Sequence, residues 1–580
     1  MPPMVMTPSE ALVETLRVEG VTEIPGIVGS AFMDALDLFP AAGIRFVPVR
    51  HEQNAAHMAD TYARTTGRPS VCTAQNGPGI TNMVTGIAAA YHAHSPVVIL
   101  TPSATSGSVG LDGFQEVEQL SIFRSITKFQ LQVPRPDRMA ESVRTAFRMA
   151  MAHLGPVQVD IPRDFFYGES HEDILEPSQY RSEERGAGDP ARLDRAAAIL
   201  SEARNPVIVA GYGAVLSGAY EETARLAEQL GAPVATSYLH NDAFPYTHPL
   251  SVGPLGYMGS KAAMELLSEA DVVLMLGCRI NVFGTVPQYG LDFYPHSAKV
   301  VQIDIDPEQL GRSKPIELGI IGDARLAAEA ISARLAAAGE RPVNGARLDH
   351  IADTKARWER ELSARSASDA APISPRRALS ELAAALTDDT FVTTDIGNIC
   401  SVSNGYLRFT KPRRFMAAMG FGNCGFAYPG ALGAKLASPG SPAVAIIGDG
   451  AWGMSLAEVM TAVEEDLPVT AVVFNNQQWG AEKRNQIDFY DDRYVGTNIG
   501  HDLGGFNFAE IATAMGGRGI RVTDPADLKD AFGESIDPEV ATVVEVMVDP
   551  EELAEPFRRD ALQQPVRHLD RYRHLAADTT

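Results

Sequence analysis

Short runs of β-branched and other apolar residues alternate along the chain with longer stretches whose apolar positions recur every three to four residues. That alternation marks stacked strand–helix units and parallel sheets. In the first block the pattern predicts strands at Arg45–Val49, Val71–Ala74, Val97–Thr101 and Val157–Ile161, each followed by a turn signal and most by a helical pattern. A polar, strand-poor stretch follows, roughly Gly168–Pro190, with EERGAGDP as its most linker-like part. A helix over Ala191–Ala203 opens a second block with strands at Pro206–Ala210, Pro233–Ser237, Val272–Leu276 and Val300–Ile305. An Ala/Arg/Glu-rich segment from about Asp323 to Ala371 reads as helices on the outside. The third block has strands at Phe391–Thr394, Ala443–Ile447, Val469–Phe474 and Thr542–Val548, and a charged tail, Glu551–Thr580, closes the chain. The expected fold class is α/β, with three domains, each a mostly parallel sheet flanked by helices. The expected boundaries are 1–180, 190–345 and 372–550, with a tail over 551–580.

Composition adds to this picture in three ways. A chain of 580 residues favours about three domains, and 45% hydrophobic with 21% charged residues lets each bury a core. Lys+Arg number 49 against 73 Asp+Glu, a net charge of −24, which argues against nucleic-acid or anionic-membrane partners because both need a basic face. No stretch reaches the ~18 uninterrupted apolar residues of a membrane span, and Glu10 and Glu14 stand where a signal peptide would be apolar. Cys72, Cys278, Cys400 and Cys424 are far apart and form no C-x-x-C, so a reduced, cytoplasmic protein is expected.

The strongest chemical signal is Gly448-Asp449-Gly450, which ends the apolar strand AVAII, followed after 24 residues by Asn475-Asn476, which ends VTAVVF. In an open parallel sheet ligands bind beyond the carboxyl ends of the strands, so both motifs fall on the binding edge. Asp449 offers a hard carboxylate and Asn476 a hard amide carbonyl, a donor pair suited to Mg²⁺ shared with phosphate oxygens. The glycines let the backbone approach a diphosphate closely, and a following helix would aim its N-terminus at it.

This motif pair resembles the diphosphate and Mg²⁺ motif of thiamine-diphosphate-dependent enzymes. The three-block layout resembles their acetolactate synthase and pyruvate oxidase branch, with a pyrimidine domain, a central domain and a diphosphate domain. The resemblance implies the thiamine-diphosphate-binding fold, thiamine diphosphate and Mg²⁺ as cofactors, and a homodimer or homotetramer in which two subunits hold the two cofactor rings. It also implies site residues. Glu52, at the strand-to-helix edge of RHEQNAAHMAD, would hydrogen-bond N1′ of the aminopyrimidine, a role suited to a buried carboxyl with raised pKa. Asn76 and Gly77 lie in the QNGPGITN turn, and Gly397 and Asn398 in the first diphosphate-side loop. Gly448, Asp449, Gly450, Ala451 and Asn476 would hold the diphosphate, with Asp449, Asn476 and Gln478 on the metal. Gly420–Gly425 fits G-x-G-x-x-G but lacks the strand before it and the acid after it, so dinucleotide binding is rejected there. The stretch resembles instead the family segment whose Met wedges the cofactor into a bent shape, with Cys424, a smaller side chain, at that position.

Segments such as AQNGPGIT, HNDAFP and NNQQWGAEKRNQIDFY resemble the sulfoacetaldehyde acetyltransferases of this branch. The resemblance implies small anionic substrates, sulfoacetaldehyde and phosphate, converted to acetyl phosphate and sulfite. Alternative readings are a 2-oxo-acid-decarboxylating relative and a non-catalytic paralogue; intact Glu52, Asp449 and Asn476 speak against the latter. Lys483 and Arg484, soon after the metal Asn, are candidates for an anionic substrate or else a solvated charged face. Glu482 is a candidate proton relay. His92, His94 and His240 are candidate proton shuttles or structural histidines. Arg279 matches an arginine that flavin-binding relatives use, and bound FAD is not expected; Arg558 and Arg559 read as a surface pair.

Overall fold

The computed structural model of the chain describes residues 5–576 apart from 183, 280, 340–342, 419, 501–504 and 556–561. Three six-stranded sheets carry it. The first contains β1 (Glu23–Gly26), β2 (Arg45–Pro48), β3 (Ser70–Thr73), β4 (Val97–Ser103), β5 (Phe129–Gln132) and β6 (Val157–Pro162), in the order β2-β1-β3-β4-β6-β5. The second contains β7 (Pro206–Ala210), β8 (Val234–Thr236), β9 (Ser251–Pro254), β10 (Val272–Leu276), β11 (Lys299–Asp304) and β12 (Leu318–Ile321), in the order β12-β11-β10-β7-β8-β9. The third contains β13 (Phe391–Thr394), β14 (Phe415–Ala417), β15 (Ala443–Gly448), β16 (Thr470–Asn475), β17 (Arg518–Val522) and β18 (Thr542–Met547), in the order β14-β13-β15-β16-β18-β17. Every pairing is parallel. The expected α/β class, three mostly parallel sheets flanked by helices, is therefore the observed one.

All twelve expected strands are present, each within two residues at either end. The six strands the pattern did not announce are β1, β5, β9, β12, β14 and β17, and all but β1 lie at sheet edges. Edge strands are short and, in β5 and β17, largely uncovered, so they lack the continuous apolar run of a strand buried on both faces. β1 contains Pro25 and Gly26, which disguise it as a turn.

Four helices position the chemistry: α1 (Glu52–Thr66), α2 (Ala427–Ala437), α3 (Glu458–Glu464) and α4 (Gly480–Tyr490). α1 starts where the His51 ring accepts the Gln53 N–H and stops at Gly67, whose φ of 71° suits only a residue without Cβ. α1 packs against α2, so the first and third sheets share one apolar core. The approach is close enough that a Cβ on Gly433 would come within 2.3 Å of the Met58 carbonyl oxygen. The second sheet has its own core. It docks on the third partly through buried Asp242, which accepts the backbone N–H groups of Arg414 (3.0 Å) and Phe415 (3.2 Å).

Burial pushes the Asp242 carboxyl from 3.8 up to about 6. The native state thus holds this proton more tightly than the unfolded chain. Its effect on stability is absent below pH 4, appears as a loss of stability while pH rises to 6, and is complete above that. Asp242→Asn should flatten this part of the stability-versus-pH curve by on the order of 2–3 kcal/mol, measured by denaturant unfolding between pH 4 and 7.

Candidate active site

The third sheet reverses its strand order between β13 and β15, and a cavity of about 540 Å³ opens there at the carboxyl ends of the strands. Gly397, Asn398, Cys424, Gly448, Asp449, Gly450, Ala451, Asn476, Gln478 and Glu482 all line it, so ten of the expected site residues converge in one place.

Asp449 is 3% exposed. Its Oδ1 accepts the Gly450 N–H at 3.0 Å and its Oδ2 the Gln478 N–H at 3.1 Å. Burial outweighs these backbone donors and pushes the carboxyl up to about 7, so the group is a buried charge in need of a cation. The two asparagines divide their work. Asn475 is tied into the fold, accepting the Gln477 N–H at 3.1 Å and donating to Glu545 at 2.6 Å, while Asn476 faces the cavity. The turn between β16 and α4 runs through Gln477 at φ 57°.

Glycine serves two different ends here. A Cβ on Gly397, Gly422 or Gly448 would meet nothing within 4 Å, so these residues border open space. A Cβ on Gly450 would instead stand 2.8 Å from the Trp479 ring, so that glycine is needed for packing. Asp395, buried under the same loop, accepts the N–H groups of Phe426 (3.3 Å) and Ala427 (3.2 Å), and burial pushes its carboxyl up to about 6. It anchors the start of α2 and with it Cys424, whose thiol burial pushes up to about 12 and so keeps protonated. The Asn398 side chain accepts the N–H of Ala554, which fastens the tail to the cavity rim.

Other expected residues lie elsewhere in the chain. Glu52, 9% exposed, opens α1 and accepts from Asn82 Nδ2 at 2.9 Å. Beside it, Asn76 donates to the Gln115 carbonyl at 3.1 Å, and the Gly77 N–H reaches Gln119 at 2.9 Å. Gly77 has φ 70°, and a Cβ there would strike the Gln115 oxygen at 2.4 Å. None of these three lines the cavity at the third sheet of the same chain. Lys483 turns away from that cavity, its ammonium 3.4 Å from Glu551 and 5.1 Å above the Tyr494 ring. Arg484 pairs with Asp488 at 2.9 Å. Arg558 and Arg559 lie outside the described residues.

His94 is not brought to the cofactor-sized cavity either. It lines a second one, about 500 Å³, between the first and second sheets, together with His92, His240 and Arg279. Its Nε2 is 2.8 Å from Arg279 Nη1, and burial pushes both His94 and His240 down to about 3, which leaves them neutral. The sequence signal was its position before β4. What it lacked was the direction of the side chain, which leaves a left-handed residue (φ 56°) toward the second sheet.

The cavity at the third sheet fits a diphosphate cofactor: glycines border space that a Cβ would fill, and a buried carboxylate beside an amide offers hard oxygen donors to a metal. Comparison with known proteins agrees. Family models described as the N-terminal, central and C-terminal domains of thiamine pyrophosphate enzymes match residues 6–122, 193–331 and 395–546. A sulfoacetaldehyde acetyltransferase of Alcaligenes xylosoxydans xylosoxydans is 51% identical over 98% of this chain and 97% of that protein. One from Castellaniella defragrans is 51% identical over the same shares. A probable acetolactate synthase large subunit of Methanocaldococcus jannaschii is more distant, at 33% over 94% and 93%. The chain belongs to the thiamine pyrophosphate enzymes and, within them, to the sulfoacetaldehyde acetyltransferase family.

The two classes of glycine separate cofactor binding from folding. Gly448→Ala, at φ −80° and facing open space, should leave thermal stability unchanged and weaken thiamine diphosphate binding at least tenfold, read by tryptophan fluorescence titration. Gly450→Ala should cost about 1–3 kcal/mol of stability through the displaced Trp479, read by denaturant unfolding.

Proposed function

We propose that the protein converts sulfoacetaldehyde and phosphate to acetyl phosphate and sulfite, using thiamine diphosphate and Mg²⁺. The observation that carries the reading is the 51% identity over nearly the whole length to sulfoacetaldehyde acetyltransferases in a chain that keeps Asp449, Asn476 and Glu52 on binding edges. Bound thiamine diphosphate supplies the carbanion chemistry that forms and breaks bonds at the aldehyde carbon.

The chain's own residues bind, orient and handle protons. Asp449 and Asn476, with Gln478 beside them, would hold Mg²⁺, and the metal would offset the buried Asp449 charge. The Glu52 carboxyl holds a proton at N1′ of the aminopyrimidine. Glu482, accepting from Asn485 at 3.2 Å on the cavity wall, moves protons to and from the substrate. Cys424, on the cavity wall, would pack against the bound cofactor.

The cavity is bordered by the carboxylates Asp449, Glu482, Asp549 and Glu552 and by no Lys, Arg or His among the described residues. Anionic substrates therefore need positive charge from outside this wall, from Mg²⁺ and from a second copy of the chain. A homodimer also brings the Glu52 face of one copy to the diphosphate cavity of the other. Exposed apolar side chains in the loop after β4, Leu111 at 74% and Phe114 at 82%, support such a contact. No helix among the described residues is long and apolar enough to cross a membrane. Cys72, Cys278, Cys400 and Cys424 form no disulfide with one another, which suits the reducing cytoplasm.

The deciding assay gives purified protein thiamine diphosphate, Mg²⁺ and sulfoacetaldehyde and measures sulfite. Release that requires phosphate is expected; absence of sulfite together with CO₂ from pyruvate would replace this reading with a 2-oxo-acid decarboxylation. Glu52→Gln should lower turnover about 10²–10⁴-fold while cofactor affinity changes little.

A further inference from the structure

Glu458 opens α3 and is fully buried, yet it does not line the diphosphate cavity and no step above uses it. Its partners lie mainly in the first block. Oε1 accepts the backbone N–H groups of Arg50 at 2.9 Å and His51 at 3.1 Å, and the Asn54 side-chain amide at 2.7 Å. Oε2 accepts from the Thr461 hydroxyl at 2.6 Å. Two more acids at the end of the same helix grip the same segment: Glu464 pairs with Arg50, and Glu465 with Arg45 at 2.8 Å.

The segment held in this way is the turn between β2 and α1. N–H groups around a helix start have no acceptor inside the helix, and a buried turn needs one from elsewhere. Glu458 supplies a single oxygen to two consecutive backbone donors and to the first turn of α1. The residue after those two donors is Glu52. Its backbone is thus pinned from the third block, while Asn82 holds its carboxylate from the first. Glu458 stands nine positions after Asp449, so one continuous piece of chain joins the metal loop to the base of Glu52.

We propose that Glu458 is a positioning residue that sets the height and direction of Glu52 by clamping the Arg50–His51 turn. The inference rests on the role assigned to Glu52 above. It goes further in naming a residue of the opposite sheet on which that role depends.

The test uses the full-length protein and three readouts: hydrogen exchange of the amides of residues 50–54 without cofactor, deuterium exchange of the C2 proton of bound thiamine diphosphate by quenched NMR, and cofactor affinity by fluorescence. Glu458→Asp, which draws the carboxylate back by one methylene, should speed amide exchange in 50–54 at least tenfold. It should also slow C2-proton exchange at least tenfold and change cofactor affinity less than threefold. Glu458→Gln keeps an acceptor oxygen and should restore C2-proton exchange to within threefold of the parent. If Glu458→Asp does not fold, Asn54→Ala loosens the same clamp and should slow C2-proton exchange at least threefold. Parent-like exchange at C2 in Glu458→Asp, with Glu52→Gln slow, would overturn the positioning role alone. Parent-like exchange at C2 in Glu52→Gln would overturn the reading of Glu52 and the proposal built on it. A loss of cofactor affinity equal to the loss of C2-proton exchange would assign Glu458 to general integrity and also overturn it.

Discussion

The buried carboxylate of Asp449 is the constraint around which the third sheet is arranged. A charge with only backbone donors for partners is costly inside a protein, and here the cost raises the proton affinity of the group to about pH 7. In the proposed function a cation bound there would offset that cost. The surroundings are consistent with that. Asn475 takes the structural hydrogen bonds and leaves Asn476 to the cavity, and glycines on three loops keep the space open. Trp479 closes one side against Gly450, where no side chain would fit.

Close packing between α1 and α2 extends this arrangement to the first sheet. Gly433 and the alanine-rich faces of both helices let the backbones approach until two sheets share one core. Glu52 and Asp449 are thereby attached to one shared core, yet Glu52 does not line the cavity that Asp449 lines. The proposed homodimer would bring the two together, and the exposed Leu111 and Phe114 after β4 are in keeping with that proposal.

Much of the site was legible from strand ends. A run of apolar residues followed by GDG or NN can be placed without coordinates, because in a parallel sheet the end of a strand is also the mouth of the ligand cleft. Glu52, Gly77 and Asn398 came instead from the resemblance to thiamine-diphosphate-dependent enzymes. Lys483 and His94 show the limit of such reasoning. Both are near the right strands, but a helix turns its side chains by about 100° per residue, which sends Glu482 into the cavity and Lys483 toward Glu551. The left-handed backbone at His94 aims its ring at the second sheet. Glu458 left no signal at all, since in sequence it is one more acidic residue on a short helix.

The sequence by itself determined the α/β class and the central strands of each sheet, and it placed Asp449 and Asn476 at strand ends that share one cavity. These follow from local periodicity and from residue chemistry at strand ends, which do not depend on distant parts of the chain. Only the tertiary structure decided the edge strands and the direction of each charged side chain. It also revealed the long-range clamp from Glu458 to the Glu52 turn. That clamp joins residues 408 positions apart, and nothing in a local pattern encodes which distant acceptor a buried N–H will find.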